Sequence, residues 1–123
     1  MTAKKILVVD DEESIRVVLA FAFEQAGYDV AVSPHGDDCL EKVYTFGPDL
    51  IVLDLMMPNV DGWEVIRLLR ADPRTEKIPV VLLTAKGEIR DKMFALQQGA
   101  ADYVTKPFDR ADLLERVKGI LGT

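Results

Sequence analysis

Five side chains suited to phosphoryl and metal-ion chemistry stand at or beside the ends of predicted β-strands: Asp10, Asp11, Asp54, Thr84 and Lys106. Clustered carboxylates repel one another unless a cation or a proton intervenes. An oxygen-rich site with few protein ligands suits Mg²⁺, which keeps waters and bridges carboxylates to phosphate oxygens. An aspartate is an accepted covalent nucleophile in phosphoryl transfer, and an ammonium offsets charge on the incoming group. Together these residues supply each part of a metal-assisted phosphoryl acceptor.

Some of these residues also have an explanation that involves no chemistry, and Thr84 could cap the fourth helix. Asp10 or Asp11 could merely cap the helix that follows them. Asp54 differs, because the next predicted helix begins only at Gly62, so a carboxylate at the end of a buried apolar strand has no helix to cap. Lys106 cannot cap a helix start either. Asp54 and Lys106 therefore favour a functional site.

The elements that must position these residues alternate as apolar runs and helix-like periodic segments, which is typical of βα units around a parallel sheet. Strands one, three and four are unbroken apolar runs, whereas strands two and five are mixed and belong at the edges. With right-handed crossovers, this predicts a doubly wound five-stranded parallel α/β sheet of order 2-1-3-4-5 with helices on both faces. The predicted strands are Lys5–Asp10, Tyr28–Ser33, Leu50–Asp54, Val80–Thr84 and Asp102–Thr105.

Helix boundaries follow from glycines and capping residues. Gly27, Gly47 and Gly99 stand where left-handed caps would end helices. Asp109, with Asp112 three residues later, predicts the start of the last helix. A first helix lies between strands one and two, and the others are predicted at Asp37–Phe46, Gly62–Ala71, Ile89–Gln98 and Arg110–Leu121.

Composition restricts the protein class. A chain of 123 residues, 49% hydrophobic and 29% charged, fits one soluble domain. The single cysteine, Cys39, and the single histidine, His35, exclude an internal disulfide and a thiolate or imidazole metal cage, which suits a cytoplasmic location. His35 is expected to face solvent. No apolar run is long enough for a signal peptide or membrane span, and a net charge of −6 disfavours direct nucleic-acid binding.

The motifs resemble those of receiver domains from two-component response regulators, in an order and spacing that spans the chain and makes the match specific. The resemblance implies a flavodoxin-like receiver fold over residues 1–123, and the 2-1-3-4-5 order is itself typical of that family rather than independent support. Whether the chain is a whole regulator or one domain of a longer one stays open. The matching motifs are Asp10–Asp11, Asp54 to Pro58, Asp61–Gly62, Thr84–Ala85 and Lys106–Pro107–Phe108.

The resemblance also implies roles for individual residues. Asp54 would be the phosphoacceptor. Asp11 and Asp54 would bind Mg²⁺, or Mn²⁺, directly, Asp10 would act largely through water, and the backbone carbonyl of Met56 would be the third protein ligand. The reaction would make the chain a phosphoacceptor that catalyses its own phosphoryl transfer and slow autodephosphorylation, not an enzyme acting on separate substrates.

A second set of implied roles concerns signalling. Thr84 and Lys106 would contact the phosphoryl group, Thr84 and Tyr103 would act as the switch hydroxyl and switch aromatic, and the Lys106–Pro107 bond would be cis. A sensor histidine kinase or phosphotransfer protein would donate the phosphoryl group, and an output domain or separate protein would receive the signal.

The winged-helix transcription-factor subfamily suggests, in addition, a phosphorylation-dependent homodimer. Its face would comprise the fourth helix, fifth strand and fifth helix, with Lys92 opposite Asp112 and Asp102 opposite Arg116. Ala101 replaces the usual acid before Asp102, so one expected ion pair is missing.

Three other functions compete with this interpretation. A phosphatase built around an aspartyl nucleophile usually has a second acid two residues later, where this chain has Met56. A flavin-binding carrier of the same architecture needs hydroxyls and amides after strand one, where acidic Asp10–Glu13 would repel its phosphate. A receiver-like scaffold independent of phosphorylation would not need Asp54 and Lys106.

Overall fold

The computed structural model describes residues 3–55, 57, 61–85 and 92–123, excluding the side chain of Lys92. Strands and helices alternate along this part of the chain. The strands are β1 (Lys5–Val9), β2 (Asp29–Ser33), β3 (Leu50–Asp54), β4 (Val80–Ala85) and β5 (Asp102–Lys106). The helices are α1 (Glu13–Gln25), α2 (Gly36–Phe46), α3 (Gly62–Ala71), α4 (Lys92–Gln97) and α5 (Arg110–Leu121). The predicted start of the fourth helix at Ile89 lies outside the described residues.

The sheet has the predicted order, β2-β1-β3-β4-β5, and each neighbouring pair of strands is parallel. Its register aligns the carboxyl ends of the central strands, with Val9 beside Leu53 and Asp54 beside Leu83. At the end of the last pair, Ala85 lies beside Lys106. The residues that follow β1, end β3 and end β5 therefore emerge at one edge of the sheet.

Two apolar layers cover the two faces of the sheet, as the doubly wound prediction requires. Alternate strand residues such as Ile6 and Val8 pack with Leu19 and Phe23 of α1 and with the buried residues of α5. The intervening residues, such as Leu7, pack with the buried residues of α2, α3 and α4. Because side chains alternate along a strand, unbroken apolar sequence in the central strands supplies both layers.

Some helix caps were predicted from the sequence, and one was not. Gly27, Gly47 and Gly99 have positive φ angles of 97°, 68° and 104°, as the stop positions predicted. Asp109 caps α5 by accepting hydrogen bonds from the backbone of the first turn, which confirms that prediction. At α2, the exposed His35 occupies the N-cap position, and its Nδ1 accepts a 3.2 Å hydrogen bond from a backbone N–H. Among the described residues, no helix has the length and apolar character needed to cross a membrane.

Gly62 brings the start of α3 against the residue that follows Asp54. Its backbone N–H donates a 3.0 Å hydrogen bond to the carbonyl oxygen of Leu55. A Cβ at position 62 would lie 2.8 Å from the Leu55 Cα and 2.9 Å from that carbonyl oxygen. Because glycine has no side chain, the start of α3 can approach the backbone of Leu55 this closely.

We expect Gly62→Ala to lower the free energy of unfolding by about 1–3 kcal/mol, because the added methyl group overpacks against backbone that cannot rotate away. Gly119→Ala is the matched control, since in the described part of the chain a Cβ at this position in α5 would have no atom within 4 Å outside the adjoining backbone of its own helix. That control should raise stability by about 0.5–1 kcal/mol, because alanine loses less conformational entropy in a helix. Urea unfolding curves that show the same change for both variants would contradict the close-approach explanation.

Candidate functional site

The predicted acidic residues meet at the carboxyl edge of the sheet. One carboxylate oxygen from each of Asp10, Asp11 and Asp54 lies within 4.8 Å of the other two. Asp10 and Asp54 are buried, whereas Asp11 is exposed. Two carboxylates of the cluster are therefore buried, and one faces solvent.

Asp10 is held by its backbone and its side chain. Its N–H donates to the carbonyl oxygen of Ser33 at 3.1 Å, and its own carbonyl accepts from Nη1 of Arg16 at 2.8 Å. Its Oδ1 accepts from the backbone N–H of Glu12 at 2.9 Å. Glu12 itself occupies the N-cap position of α1. Neither Asp10 nor Asp11 is therefore the helix cap that was the alternative to a functional role.

Lys106 supplies positive charge to this acidic cluster. Its Nζ lies 2.9 Å from Oδ2 of Asp10 and 3.3 Å from Oδ2 of Asp54. Glu12 lies at the rim, with Oε1 3.7 Å from the same nitrogen. Burial opposes the charged ammonium, but the Asp10 and Asp54 carboxylates outweigh that effect and raise the pKa of Lys106. The ammonium is therefore held in its charged form between the buried carboxylates.

The donor set fits a small divalent cation. Oδ2 of Asp10 is fully buried, and within the described residues it accepts no hydrogen bond of good geometry, although the Lys106 ammonium forms an ion pair with it. Three carboxylates around one ammonium leave an excess of negative charge. Mg²⁺ and Mn²⁺ prefer such all-oxygen ligands. The carbonyl of Met56, the remaining expected ligand, lies outside the described residues.

Thr84 and Tyr103 lie on neighbouring strands beside the acidic cluster. Thr84 is buried at the carboxyl end of β4, opposite Thr105 of β5. Tyr103 lies opposite Leu82, and its partly buried ring packs against the layer that α2, α3 and α4 cover. Because alternate residues share a face, the Thr84 side chain points to that same layer. The peptide bond between Lys106 and Pro107 is cis.

The residues expected on the dimer face form ion pairs within one chain. Arg116 donates from Nη1 to Asp102 at 2.9 Å and from Nε to Asp112 at 3.0 Å. The Asp102 and Asp112 carboxylates raise the pKa of Arg116. The side chain of Lys92 lies outside the described residues. Arg116 thus has carboxylate partners in its own chain before any second copy approaches.

Two residues of the site were not predicted from the sequence, Arg16 and Glu12. Arg16 binds the Asp10 carbonyl from the second turn of α1, and Glu12 stands near Lys106. Charged residues at the start of a helix commonly face solvent, so the sequence did not mark either residue as part of the site. The sequence offered one indication, which is that both residues lie just after the acidic pair, where helix α1 begins.

An open cavity of about 570 Å³ adjoins the acidic cluster between α1 and the segment that follows β5. Ile15, Val18 and Phe108 supply apolar surface, and Lys106 lies at the side nearest the carboxylates. Val17 and Phe21, also on α1, are exposed. The site thus opens beside a cavity that is partly lined by apolar side chains.

Comparison with known proteins is consistent with this geometry. A family model for the response regulator receiver domain matches residues 6–118. The alkaline phosphatase synthesis transcriptional regulatory protein PhoP of Bacillus subtilis is 50% identical over 118 residues, covering 96% of this chain and 48% of that protein. The phosphate regulon transcriptional regulatory protein PhoB of Rhizobium meliloti is 43% identical over 117 residues, covering 95% of this chain and 52% of that protein.

Among solved structures, the chemotaxis protein CheY4 of Vibrio cholerae superposes with a TM-score of 0.88 at 29% identity, covering 96% of this chain and 98% of that one. The chain spans about half the length of the regulatory proteins PhoP and PhoB. The family match favours a response regulator over the phosphatase, flavin-carrier and scaffold alternatives. The chain belongs to the response regulator receiver domain family.

Proposed function

We propose that this chain is a single receiver domain in which Asp54 accepts a phosphoryl group in an Mg²⁺-dependent reaction and so switches an output partner. The observation that carries the proposal is the arrangement around Asp54, where two further carboxylates and one shared ammonium converge. Phosphoryl transfer depends chiefly on positioning and charge neutralisation, and this arrangement provides both.

Asp11 and Asp54 are the proposed direct ligands of Mg²⁺ or Mn²⁺, with Asp10 acting mainly through water and the Met56 carbonyl completing the protein ligands. Exposure of Asp11 and burial of Asp54 support an ion bound at the mouth rather than sealed in the core. When bound, the ion neutralises charge on the transferring phosphoryl group. The buried Asp10 oxygen without a well-aligned donor is consistent with a further polar partner there.

The proposed reaction begins with an Asp54 carboxylate oxygen, which attacks the phosphorus of a phosphohistidine. The phosphorus–nitrogen bond breaks, its electron pair passes to the histidine nitrogen, and an acyl phosphate forms on Asp54. Lys106, whose ammonium lies 3.3 Å from Oδ2 of Asp54, offsets charge on the phosphoryl oxygens. The chain then serves as a phosphoacceptor that promotes its own phosphorylation and slow dephosphorylation, without turning over separate substrates.

Thr84 and Tyr103 are the proposed switch. Both side chains face the layer beneath α2, α3 and α4, and Thr84 stands on the strand next to Asp54. The hydroxyl would move towards the phosphoryl group, and the aromatic ring would fill the space that it leaves. The phosphorylated state would thereby bias an equilibrium between two conformations that the free domain already samples.

The proposed phosphodonor is a sensor histidine kinase or a phosphotransfer protein in the cytoplasm. Any donor protein must present phosphohistidine at the mouth of the acidic cluster, beside the cavity and the exposed Val17 and Phe21 of α1. Apolar surface next to a charged site supports contact with a protein. The proposed recipient is an output domain or a separate protein, and the relatives named as transcriptional regulatory proteins support a role in transcriptional control.

Asp54→Asn is expected to abolish phosphorylation, because the amide cannot act as the nucleophile, while its similar shape preserves the fold. Without metal, the melting temperature should stay equal or rise slightly, because one charge leaves a repulsive cluster. The measurement is the mass of the intact chain after incubation with acetyl phosphate and Mg²⁺. Asp29→Asn, at an exposed position on edge strand β2, is the control and should gain a phosphoryl group as the wild type does. A phosphorylated Asp54→Asn chain would contradict the assignment of the acceptor.

We further propose that phosphorylation promotes a symmetric dimer through α4, β5 and α5, as in the winged-helix subfamily. Charges alone would bind weakly, because exposed ion pairs contribute about 0–1 kcal/mol each. Arg116 would also have to share or exchange the Asp102 and Asp112 partners that it already has. Exposed Met93 and Phe94 on α4 offer the apolar contact that such an interface needs.

Arg116→Glu should prevent the dimer that forms with beryllofluoride and Mg²⁺, and adding Asp102→Arg should restore it, because the reversed pair regains opposite charges. The sedimentation coefficient at low salt reports the association. Arg67→Glu, the same charge reversal at an exposed position on α3 and outside the proposed face, should leave the dimer intact. A wild-type chain that stays monomeric at high concentration with beryllofluoride would rule the dimer out.

A further inference from the structure

We propose that Arg16 is a positioning residue for the metal site, acting through the carbonyl of Asp10 to fix the position of Asp11. The inference rests on the proposed function, because it concerns the same acidic cluster. Arg16 is half-buried on α1, and its Nη1 lies 2.8 Å from the Asp10 carbonyl oxygen.

The Asp10 carbonyl lies where the sheet ends. Val9 is the last residue of β1 in register with β2, opposite Ser33, and the Asp10 N–H still donates to the Ser33 carbonyl. The chain then turns into α1. Arg16 reaches back from the second turn of that helix and supplies the donor for the Asp10 carbonyl. The bond therefore ties α1 to the peptide group that follows the end of β1.

This bond has a consequence for Asp11 because the peptide group is planar. The carbonyl of Asp10 and the nitrogen and Cα of Asp11 belong to one plane, so fixing the carbonyl direction also fixes the point from which the Asp11 side chain emerges. Asp10 has additional restraints, since it is fully buried and its Oδ1 accepts a hydrogen bond from Glu12. Asp11 is exposed, and its carboxylate depends more strongly on the backbone that presents it.

A positioning role and a purely electrostatic role predict opposite effects on metal affinity. Removing a cation beside an acidic cluster lowers repulsion of Mg²⁺ and should tighten binding if charge alone matters. Removing the bond that orients a ligand should weaken binding, and loss of such supporting partners typically costs about 10–100-fold in metal affinity. The sign of the change therefore separates the two roles.

The test is calorimetric titration of the whole chain with Mg²⁺. Arg16→Met removes both the donor and the charge, and it should weaken Mg²⁺ binding by about tenfold. Arg16→Lys keeps the charge and a donor, and it should recover most of that loss. Arg110→Met is the control, because Arg110 is an exposed cation that lines the adjoining cavity and makes no bond to the Asp10 carbonyl, and the variant should bind Mg²⁺ equally or more tightly. With acetyl phosphate, Arg16→Met should need more Mg²⁺ for half-maximal phosphorylation but reach the wild-type rate at saturation.

Unchanged or tighter Mg²⁺ binding by Arg16→Met would overturn the positioning role, whereas a lower melting temperature with unchanged affinity would show that Arg16 only supports the fold. If Arg16→Met does not fold, Arg16→Gln is judged by the same criterion. No Mg²⁺ binding by the wild type would overturn the proposed metal site and this role with it. If the wild type binds Mg²⁺ and Arg16→Met binds it with the same affinity, the proposed metal site stands and only the role of Arg16 is overturned.

Discussion

The acidic cluster depends on the ion pairs that the half-buried ammonium of Lys106 makes with two buried carboxylates. The ammonium lies 2.9 Å from a carboxylate oxygen of Asp10 and 3.3 Å from one of Asp54. Unit charges 4 Å apart interact by about 4 kcal/mol at an effective dielectric constant of 20, so repulsion among the carboxylates is comparable to their attraction to the lysine. One ammonium cannot balance three carboxylates. The remaining negative charge is what makes the cluster receptive to a divalent cation.

The fold imposes this arrangement through strand register rather than through local sequence. Asp10 follows β1, Asp54 ends β3 and Lys106 ends β5, and parallel pairing aligns these ends at one edge. Two apolar layers pack against the sheet, so separating the charged residues to relieve their repulsion would disrupt buried apolar contacts. Gly62 allows the start of α3 to close against Leu55, directly after the acceptor. Apolar packing thus maintains an electrostatically costly site.

The sequence predicted the strand order and the acidic cluster because both follow from strong patterns. Unbroken apolar runs mark central strands, and the carboxyl ends of those strands identify the site. Strands β4 and β5 each extend one residue beyond prediction, to Ala85 and Lys106, because their mixed ends still pair with each other. The predicted α2 start at Asp37 is one residue late. The sequence did not predict His35 as the N-cap of α2, because histidine is not among the preferred capping residues.

Long side chains were the least predictable part of the site. Arg16 reaches the Asp10 carbonyl, and Arg116 binds Asp102 and Asp112 of its own chain. A flexible side chain has many conformations of similar energy, and tertiary contacts select among them. The chemical character of these residues was evident from the sequence, but their partners depend on distances that only the folded chain defines.

The most direct measurement is the effect of Mg²⁺ on thermal unfolding of Lys106→Met, compared with the wild type and with Lys77→Met, an exposed control. If Lys106 offsets the charge of the acidic cluster, Lys106→Met should melt at a lower temperature without metal, because buried carboxylates lose their counter-charge. Mg²⁺ should then raise its melting temperature by more than it raises that of the wild type, since a cation that binds the folded state replaces the missing positive charge. Lys77→Met should match the wild type. An equal or smaller Mg²⁺-dependent increase for Lys106→Met would contradict the account.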